Sequence, residues 1–222
     1  MSGTKILILP GLDGTDLMLG PFRELCAASQ ETIVGTLPDD PTLGYEGLAE
    51  HFSTIVNGLS SCHIIAESFS GPIAILLAHK YPEVVTRLTL VASFATTPLP
   101  KFASFVPWFL LLRIPLPTFA ARYFLVGNCN SIVPTLRSAI GQNSFPVLRN
   151  RLWLSQYVDV TKQYSELNCQ LTYRRPTRDR RVPMRCVDEI LEANPATEIR
   201  EVEGPHLILE TEPENSWGKI RV

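Results

Sequence analysis

The sequence predicts an α/β fold in which a parallel sheet is covered by helices on both faces. Short apolar runs that end in turn residues alternate with segments of helical periodicity along most of the 222 residues. The composition, 45% hydrophobic and 19% charged, is typical of a globular protein with a sizeable core. One block, residues 95–155, interrupts the alternation. We therefore expect a layered α/β core with one insertion.

The first half of the chain contains four predicted strands, at residues 5–9, 32–37, 63–67 and 88–92. Three helical segments lie between them, at residues 21–29, 45–57 and 70–81. Pro72 near the start of the third helix and Pro82 just beyond its end are typical helix boundaries. Strands that alternate with helices in this way form parallel crossover units.

The second half resumes the pattern after the insertion. Strands are predicted at residues 170–174 and 197–202, and helices at residues 183–193 and 213–220. The insertion at 95–155 is rich in proline, aromatic residues and leucine and has no strand pattern, which predicts a helical cap over the carboxyl edge of the sheet. Residues 1–94 and 156–222 would then form the core domain.

The apolar stretch 102–126 approaches the length of a membrane span. Two arginines and three prolines interrupt it, namely Arg113, Arg122, Pro107, Pro115 and Pro117. Because arginine is costly at bilayer depth and proline breaks a helix, we expect two or three short apolar helices and no membrane span.

Charge and cysteine usage exclude several classes of function. The 20 basic and 22 acidic residues include no basic tail and no zinc-spaced Cys/His cluster, so nucleic-acid binding is not indicated and no metal or organic cofactor is implied. The five cysteines are scattered, which is typical of reduced thiols in a cytoplasmic protein. Residues 1–10 lack the pattern of a signal peptide.

The sharpest local motif is Ala66-Glu67-Ser68-Phe69-Ser70-Gly71, between a predicted strand and a predicted helix. A serine at such a sharp turn exposes its hydroxyl above the sheet, and small residues two before and two after it let the backbones pass. Ala66 and Ser70 stand where the pattern G-x-S-x-G has glycines. The motif predicts Ser68 as a nucleophile; an ordinary capping serine is the alternative.

A glycine-rich loop, Pro10-Gly11-Leu12-Asp13-Gly14, follows the first predicted strand. Such a loop can aim a backbone N–H at the nucleophile, and the residue after the nucleophile supplies a second N–H. We therefore predict the amides of Leu12 and Phe69 as oxyanion donors. A simple tight turn would explain the glycines as well.

His206 follows the last predicted strand and would reach the same edge of the sheet as Ser68. The remaining histidines fall within predicted helices or at the far edge, at His51, His79 and His63. Asp179 follows the fifth strand, where it could orient the imidazole of His206. A surface acid among arginines is the alternative for Asp179, and Asp159 is a weaker candidate for the same role.

The predicted cap contains clustered aromatic residues, which suit the binding of an acyl or alkyl group. We predict Trp108 and Phe124 as residues that line the substrate pocket. Packing between cap helices is the alternative for either residue.

The chain resembles the α/β-hydrolase superfamily, in particular bacterial pimeloyl-carrier-protein methyl ester carboxylesterases. The resemblance is carried by ILPGLDGT, AESFSGPIAILLAHKYP, LVASF, RRPTRDRRVP and GPHLILETEPE. It implies the α/β-hydrolase fold and the triad Ser68, Asp179 and His206. Two antiparallel strands that usually precede the first motif are absent, so about six strands are expected. Pro10 also departs from the usual His-Gly loop.

The predicted function is hydrolysis of a small-molecule carboxylic ester through an acyl-enzyme intermediate. A thioesterase or acyltransferase that acts on carrier-bound acyl groups is one alternative. Six arginines near Asp179 could dock an acyl carrier protein, although a solvated basic loop explains them too: Arg174, Arg175, Arg178, Arg180, Arg181 and Arg185. A non-catalytic ligand-binding protein on the same fold is the second alternative.

Overall fold

The computed structural model describes residues 3–99 and 116–220. Within these ranges six strands form one sheet: β1 (Lys5–Leu9), β2 (Thr32–Val34), β3 (Cys62–Glu67), β4 (Val85–Val91), β5 (Gln170–Pro176) and β6 (Glu198–Val202). Every pairing is parallel, in the order β2-β1-β3-β4-β5-β6. The predicted sheet of about six strands is confirmed.

The described helices follow the strands along the chain: α1 (Gly20–Ala27), α2 (Tyr45–Asn57), α3 (Gly71–Lys80), α4 (Thr118–Ala121), α5 (Val133–Gly141), α6 (Phe145–Tyr157), α7 (Thr161–Ser165), α8 (Met184–Ala193), α9 (Ile208–Thr211) and α10 (Pro213–Ile220). Shorter turns occur at Ser68–Ser70 and Asn130–Ile132, which are 3-10, and at Arg122–Val126, which is a π turn. Prolines in the first turns of α1, α3, α5 and α6 fit the open amides there.

The two faces of the sheet are buried under different helices because side chains alternate along each strand. On one face Leu7, Leu9 and Ile64 pack under α2, α3 and α8. On the other face Ile6, Ile8 and Ile65 pack with α1, α9 and α10. A third, smaller cluster joins the described part of the insertion to the loop after β6, through residues such as Ala121, Val126 and Leu207.

The segment between β4 and β5 contains the helices α4 to α7 among its described residues, with turns and loops between them. At its base the amide of Val160 donates to the carbonyl of Ala95 at 2.9 Å, and Thr96 forms an antiparallel bridge with Asp159. The boundaries 95–155 for a cap domain stay a prediction. α6 continues to Tyr157 and is followed directly by that bridge.

Candidate active site

The candidate residues all follow the carboxyl ends of strands. The loop with Leu12 follows β1, Ser68 follows β3, Asp179 lies beyond β5, and His206 lies beyond β6. The chain leaves β1 toward β2 at one side and later returns to β3 at the other side of β1. This reversal forms the crevice at which open α/β sheets bind ligands.

Ser68 occupies a strained turn between β3 and α3. Its φ is +49°, a left-handed conformation that side chains other than glycine rarely adopt. Such a residue costs about 1–3 kcal/mol and persists only where its surroundings hold it. Here the Oγ of Ser93, at the end of β4, donates to the carbonyl of Ser68 at 2.6 Å. Ser93 is in turn held by the Tyr173 hydroxyl, which donates to its carbonyl at 2.8 Å.

The turn depends on close backbone approach at Gly71. A Cβ added there would lie 1.8 Å from the Oγ of Ser93, so α3 can begin against β4 only with glycine at this position. The sequence interpretation placed the small residues at Ala66 and Ser70 and missed Gly71. Ser70 has a further use, because its hydroxyl donates to the carbonyl of Pro10 and so ties the turn to the loop after β1.

His206 connects Ser68 to Asp179. Its Nε2 lies 2.9 Å from the Oγ of Ser68, and its Nδ1 lies 3.0 Å from both carboxylate oxygens of Asp179. Backbone bonds hold the two loops together: the amide of Thr177 donates to Val202, and the amide of Arg178 donates to Gly204. The three side chains thus form one hydrogen-bonded chain with the nucleophile–base–acid order of a catalytic triad.

The surroundings of Asp179 keep its carboxylate charged. Burial alone would raise its pKa, but the charge and hydrogen bond of His206 oppose this effect. The amides of Arg181 and Val182 also donate to its Oδ1, at 2.7 and 3.1 Å. The pKa of Asp179 therefore lies below its ordinary value. An ionised carboxylate can hold Nδ1–H and stabilise an imidazolium.

The rival candidates lie elsewhere. Asp159 caps a local turn, in which its Oδ1 accepts from the amide and hydroxyl of Thr161. His63 is buried in β3 beside Thr89, and burial together with Arg87 and Arg174 lowers its pKa to about 3. His79 pairs with Glu166 at the surface, and His51 lies within α2 against the ring of Phe52.

The predicted oxyanion residues lie next to Ser68. Phe69 is in the first turn after the nucleophile, where amides have no intrahelical acceptor. A Cβ built on Gly11 would lie 4.0 Å from the Cβ of Ser68, which places the loop of Leu12 against the serine.

Arg151 of α6 holds this loop, and the sequence interpretation missed it. The side chain is only 2% exposed. Its Nη1 donates to the carbonyl of Leu12 and to the Oδ1 of Asn143, both at 2.8 Å. Its Nη2 donates to the carbonyl of Pro38 at 3.2 Å. Asn143 in turn donates to the carbonyl of Asp13 at 2.6 Å. Gly14, with a φ of +69°, leaves the room that the guanidinium occupies.

A pair of acids lies beside the candidate triad. Glu67 precedes Ser68, and Glu210 belongs to α9. The two carboxyl groups are buried within interaction distance of each other, which disfavours a negative charge on both. Burial, the neighbouring Glu210 and Asp13 raise the pKa of Glu67 well above its usual value, and burial raises the pKa of Glu210 to about 7. Sequence analysis gave no signal for this pair.

The predicted pocket residues stay predictions. Trp108 lies outside the described residues. Phe124 is 41% exposed, and its ring meets that of Tyr123 edge-on at 4.8 Å.

Most of the arginines near Asp179 have internal partners. Arg175 and Arg178 form ion pairs with Glu201 and Glu203. Arg185 donates to the carbonyls of Thr97 and Leu99. The docking of an acyl carrier protein by these arginines stays a prediction.

Within residues 3–99 and 116–220, no group of three or more His, Cys, Asp and Glu side chains is arranged to hold a metal ion. Among the same residues, no helix is both long and apolar enough to cross a membrane. The stretch 102–126, for which no membrane span was predicted, lies mostly outside the described residues.

Solved structures with the same architecture cover nearly the whole chain. An enol-lactonase from Burkholderia xenovorans LB400 superposes with a TM-score of 0.83 at 13% identity, over 99% of this chain and 90% of its own. A thermophilic esterase from Thermogutta terrifontis gives 0.82 at 18%, over 99% and 89%. The N-formylmaleamic acid deformylase of Pseudomonas putida S16 gives 0.79 at 14%, over 100% and 92%. No family model and no curated protein matches the sequence.

Proposed function

We propose that this chain, which has the α/β-hydrolase fold, is a serine hydrolase that cleaves carboxylic esters through an acyl-enzyme intermediate. One observation carries the proposal: His206 lies within hydrogen-bond distance of both Ser68 and Asp179, at 2.9 and 3.0 Å. The esterase and lactonase among the structural neighbours support the same class of reaction. Their sequence identities are too low to carry the assignment alone.

In the proposed first step, His206 removes the proton of Ser68 as the Oγ attacks the carbonyl carbon of the ester. Asp179 keeps Nδ1 of the ring protonated and stabilises the imidazolium that forms. The amides of Leu12 and Phe69 donate to the oxyanion, each contributing about 3 kcal/mol to the transition state.

The tetrahedral intermediate formed by this attack then collapses. His206 returns its proton to the leaving alcohol, and an acyl group remains on Ser68. Water attacks the acyl carbon with His206 again as general base, which releases the acid and restores the serine. Each of these steps uses only groups of this chain, substrate and water.

The test is hydrolysis of activated esters and thioesters of graded acyl length by purified protein and by Ser68→Ala. Loss of the nucleophile should lower turnover by several orders of magnitude, on the order of the 10⁶ found where a triad acts as a unit. Ser165→Ala, at an exposed hydroxyl on α7, is the matched control and should retain activity. Turnover by Ser68→Ala within tenfold of the wild type would reject the proposal.

A further inference from the structure

The segment 118–126 presents large aromatic side chains to solvent. Phe119 is 77% exposed, Tyr123 57% and Phe124 41%, whereas Ala121 and Val126 are buried. A helix at the surface of a globular protein normally buries its large apolar residues and exposes its polar ones. Here the arrangement is reversed. Clustered exposed aromatic residues of this kind mark a surface that another partner covers.

Three arginines surround these aromatic residues. Arg122 is exposed on the same segment. Arg137 of α5 donates to the hydroxyl of Thr118 at 2.8 Å, and the guanidinium of Arg180 lies 4.0 Å from the centre of the Tyr123 ring. We call Phe119, Arg122, Tyr123, Phe124, Arg137 and Arg180 the cap patch.

The charge of the insertion is strongly one-sided. The printed sequence has no aspartate or glutamate between Glu83 and Asp159, although the chain contains 22 acidic residues. Residues 95–155 contain six basic residues, namely Lys101, Arg113, Arg122, Arg137, Arg149 and Arg151. The insertion is therefore a cationic segment in a protein whose formal net charge is −2. Such segregation favours an anionic partner.

We propose that the cap patch binds the surface of an anionic lipid bilayer. The aromatic rings enter the boundary between headgroups and acyl chains, and the arginines pair with lipid phosphates. A bilayer surface matches both kinds of side chain: its phosphates suit the arginines, and its acyl boundary suits the aromatic rings. An acidic protein surface would pair with the arginines, but it would cover the three aromatic residues only if it also carried a matching apolar groove.

The cap patch adjoins the candidate active site. The carbonyl of Leu125 accepts a hydrogen bond from the amide of Leu207 at 3.0 Å, and Leu207 directly follows His206. Binding through the cap patch therefore brings the bilayer next to the histidine loop. The substrate class rests on the proposed function: the substrates are acyl esters dissolved in the lipid phase.

The test is co-sedimentation of the full chain with vesicles of phosphatidylcholine alone and of phosphatidylcholine mixed with phosphatidylglycerol. Binding should be stronger to the anionic vesicles and should weaken as salt is raised. The variant Phe119→Ser/Tyr123→Ser/Phe124→Ser should bind about tenfold or more weakly. A second variant, Arg122→Gln/Arg180→Gln, keeps the rings and should lose the preference for anionic vesicles.

Trp153→Ser/Tyr157→Ser is the matched control, because both rings are more than half exposed on α6, at 54% and 59%, outside the cap patch. It should bind vesicles like the wild type. Absence of vesicle binding, equal loss in this control, or binding of an acyl carrier protein in preference to vesicles would overturn the proposal. Using Ser68→Ala protein in the same assay separates the two proposals, since it should bind vesicles unchanged even if no ester is cleaved.

Discussion

At the scale of single residues, the proposed chemistry depends on how Asp179 holds the ring of His206. The carboxylate faces Nδ1 at 3.0 Å and is itself fixed by two backbone amides. Changing Asp179 to Asn keeps the shape but favours the wrong tautomer of the ring. We expect Asp179→Asn to lower ester turnover by about 10⁴.

Asp159→Asn is the matched control for this prediction. It changes an acid of the same type whose carboxylate accepts hydrogen bonds from Thr161, next to the backbone bridge with Thr96. Turnover measured on the same ester should stay near the wild-type value. If Asp159→Asn were the more damaging change, the assignment of the triad acid would be wrong.

The acid pair Glu67 and Glu210 makes stability depend on pH. The pKa of Glu210 rises from an ordinary 4.5 to about 7 on folding, so the unfolded chain releases this proton more readily. The stabilising contribution is complete below about pH 4.5 and is lost as pH rises to about 7. At 1.36 kcal/mol per pKa unit the loss is about 3 kcal/mol.

Urea unfolding at pH 5 and pH 8 checks this expectation. The free energy of unfolding of the wild type should fall by at least about 3 kcal/mol more between these pH values than that of Glu67→Gln/Glu210→Gln, because the raised pKa of Glu67 adds to the loss. The variant Glu83→Gln/Glu214→Gln removes two exposed acids and should keep the wild-type slope. Equal slopes for the wild type and the Glu67/Glu210 variant would show that folding does not raise the pKa of these two acids.

At the scale of elements, α6 sets the position of the loop after β1. Arg151 joins the two through the carbonyl of Leu12, whose amide is a proposed oxyanion donor. Arg151→Met should therefore lower kcat for ester hydrolysis by about 10²-fold with little change in KM, as expected for an interaction made mainly in the transition state. Arg151→Lys, which keeps the charge, should recover part of the loss.

The matched control for Arg151 is the preceding residue of the same helix. Asn150 also donates to a backbone carbonyl, that of Leu43 at 2.8 Å, in a loop that does not carry an oxyanion donor. Asn150→Ala should change kcat little. An equal fall in kcat for both variants, in proportion to their melting temperatures, would mean that Arg151 acts only through stability.

The elements themselves were predictable where the local pattern was simple. The last helix, at 213–220, was predicted with the bounds that the structure has. β4 begins at Val85, three residues before the predicted start. The prediction began too late because the exposed Thr86 and half-buried Arg87 interrupt the apolar run. The predicted second strand, 32–37, stops at Val34, where the chain passes Gly35 against the ring of Phe52.

The candidate site was predictable to the extent that it follows strand ends. Ser68, Asp179 and His206 could be inferred from motif and position, because parallel strands bring their carboxyl ends to one edge. The groups around these three residues could not be inferred in this way. Arg151 lies 139 residues from Leu12, and Gly71 is required by Ser93, which follows another strand. Contacts of this kind depend on tertiary packing, for which local periodicity has no signal.

At the scale of the whole molecule, the insertion between β4 and β5 is expected to choose the substrate while the core performs the chemistry. Shrinking Trp108 to Ala should change the preference between short and long acyl esters by about 1–3 kcal/mol. Relative kcat/KM for two esters, measured with the melting temperature, checks this. A destabilised variant with unchanged ester preference would mean that the residue packs the cap and does not line the pocket.

The central claim, that Ser68 is a nucleophile activated by His206, is tested most directly by the mass of the intact protein after reaction with a fluorophosphonate. We expect one adduct per chain, located on Ser68, absent from Ser68→Ala and formed far more slowly by His206→Ala. No adduct on the folded wild-type protein, or an adduct that persists in Ser68→Ala, would contradict it.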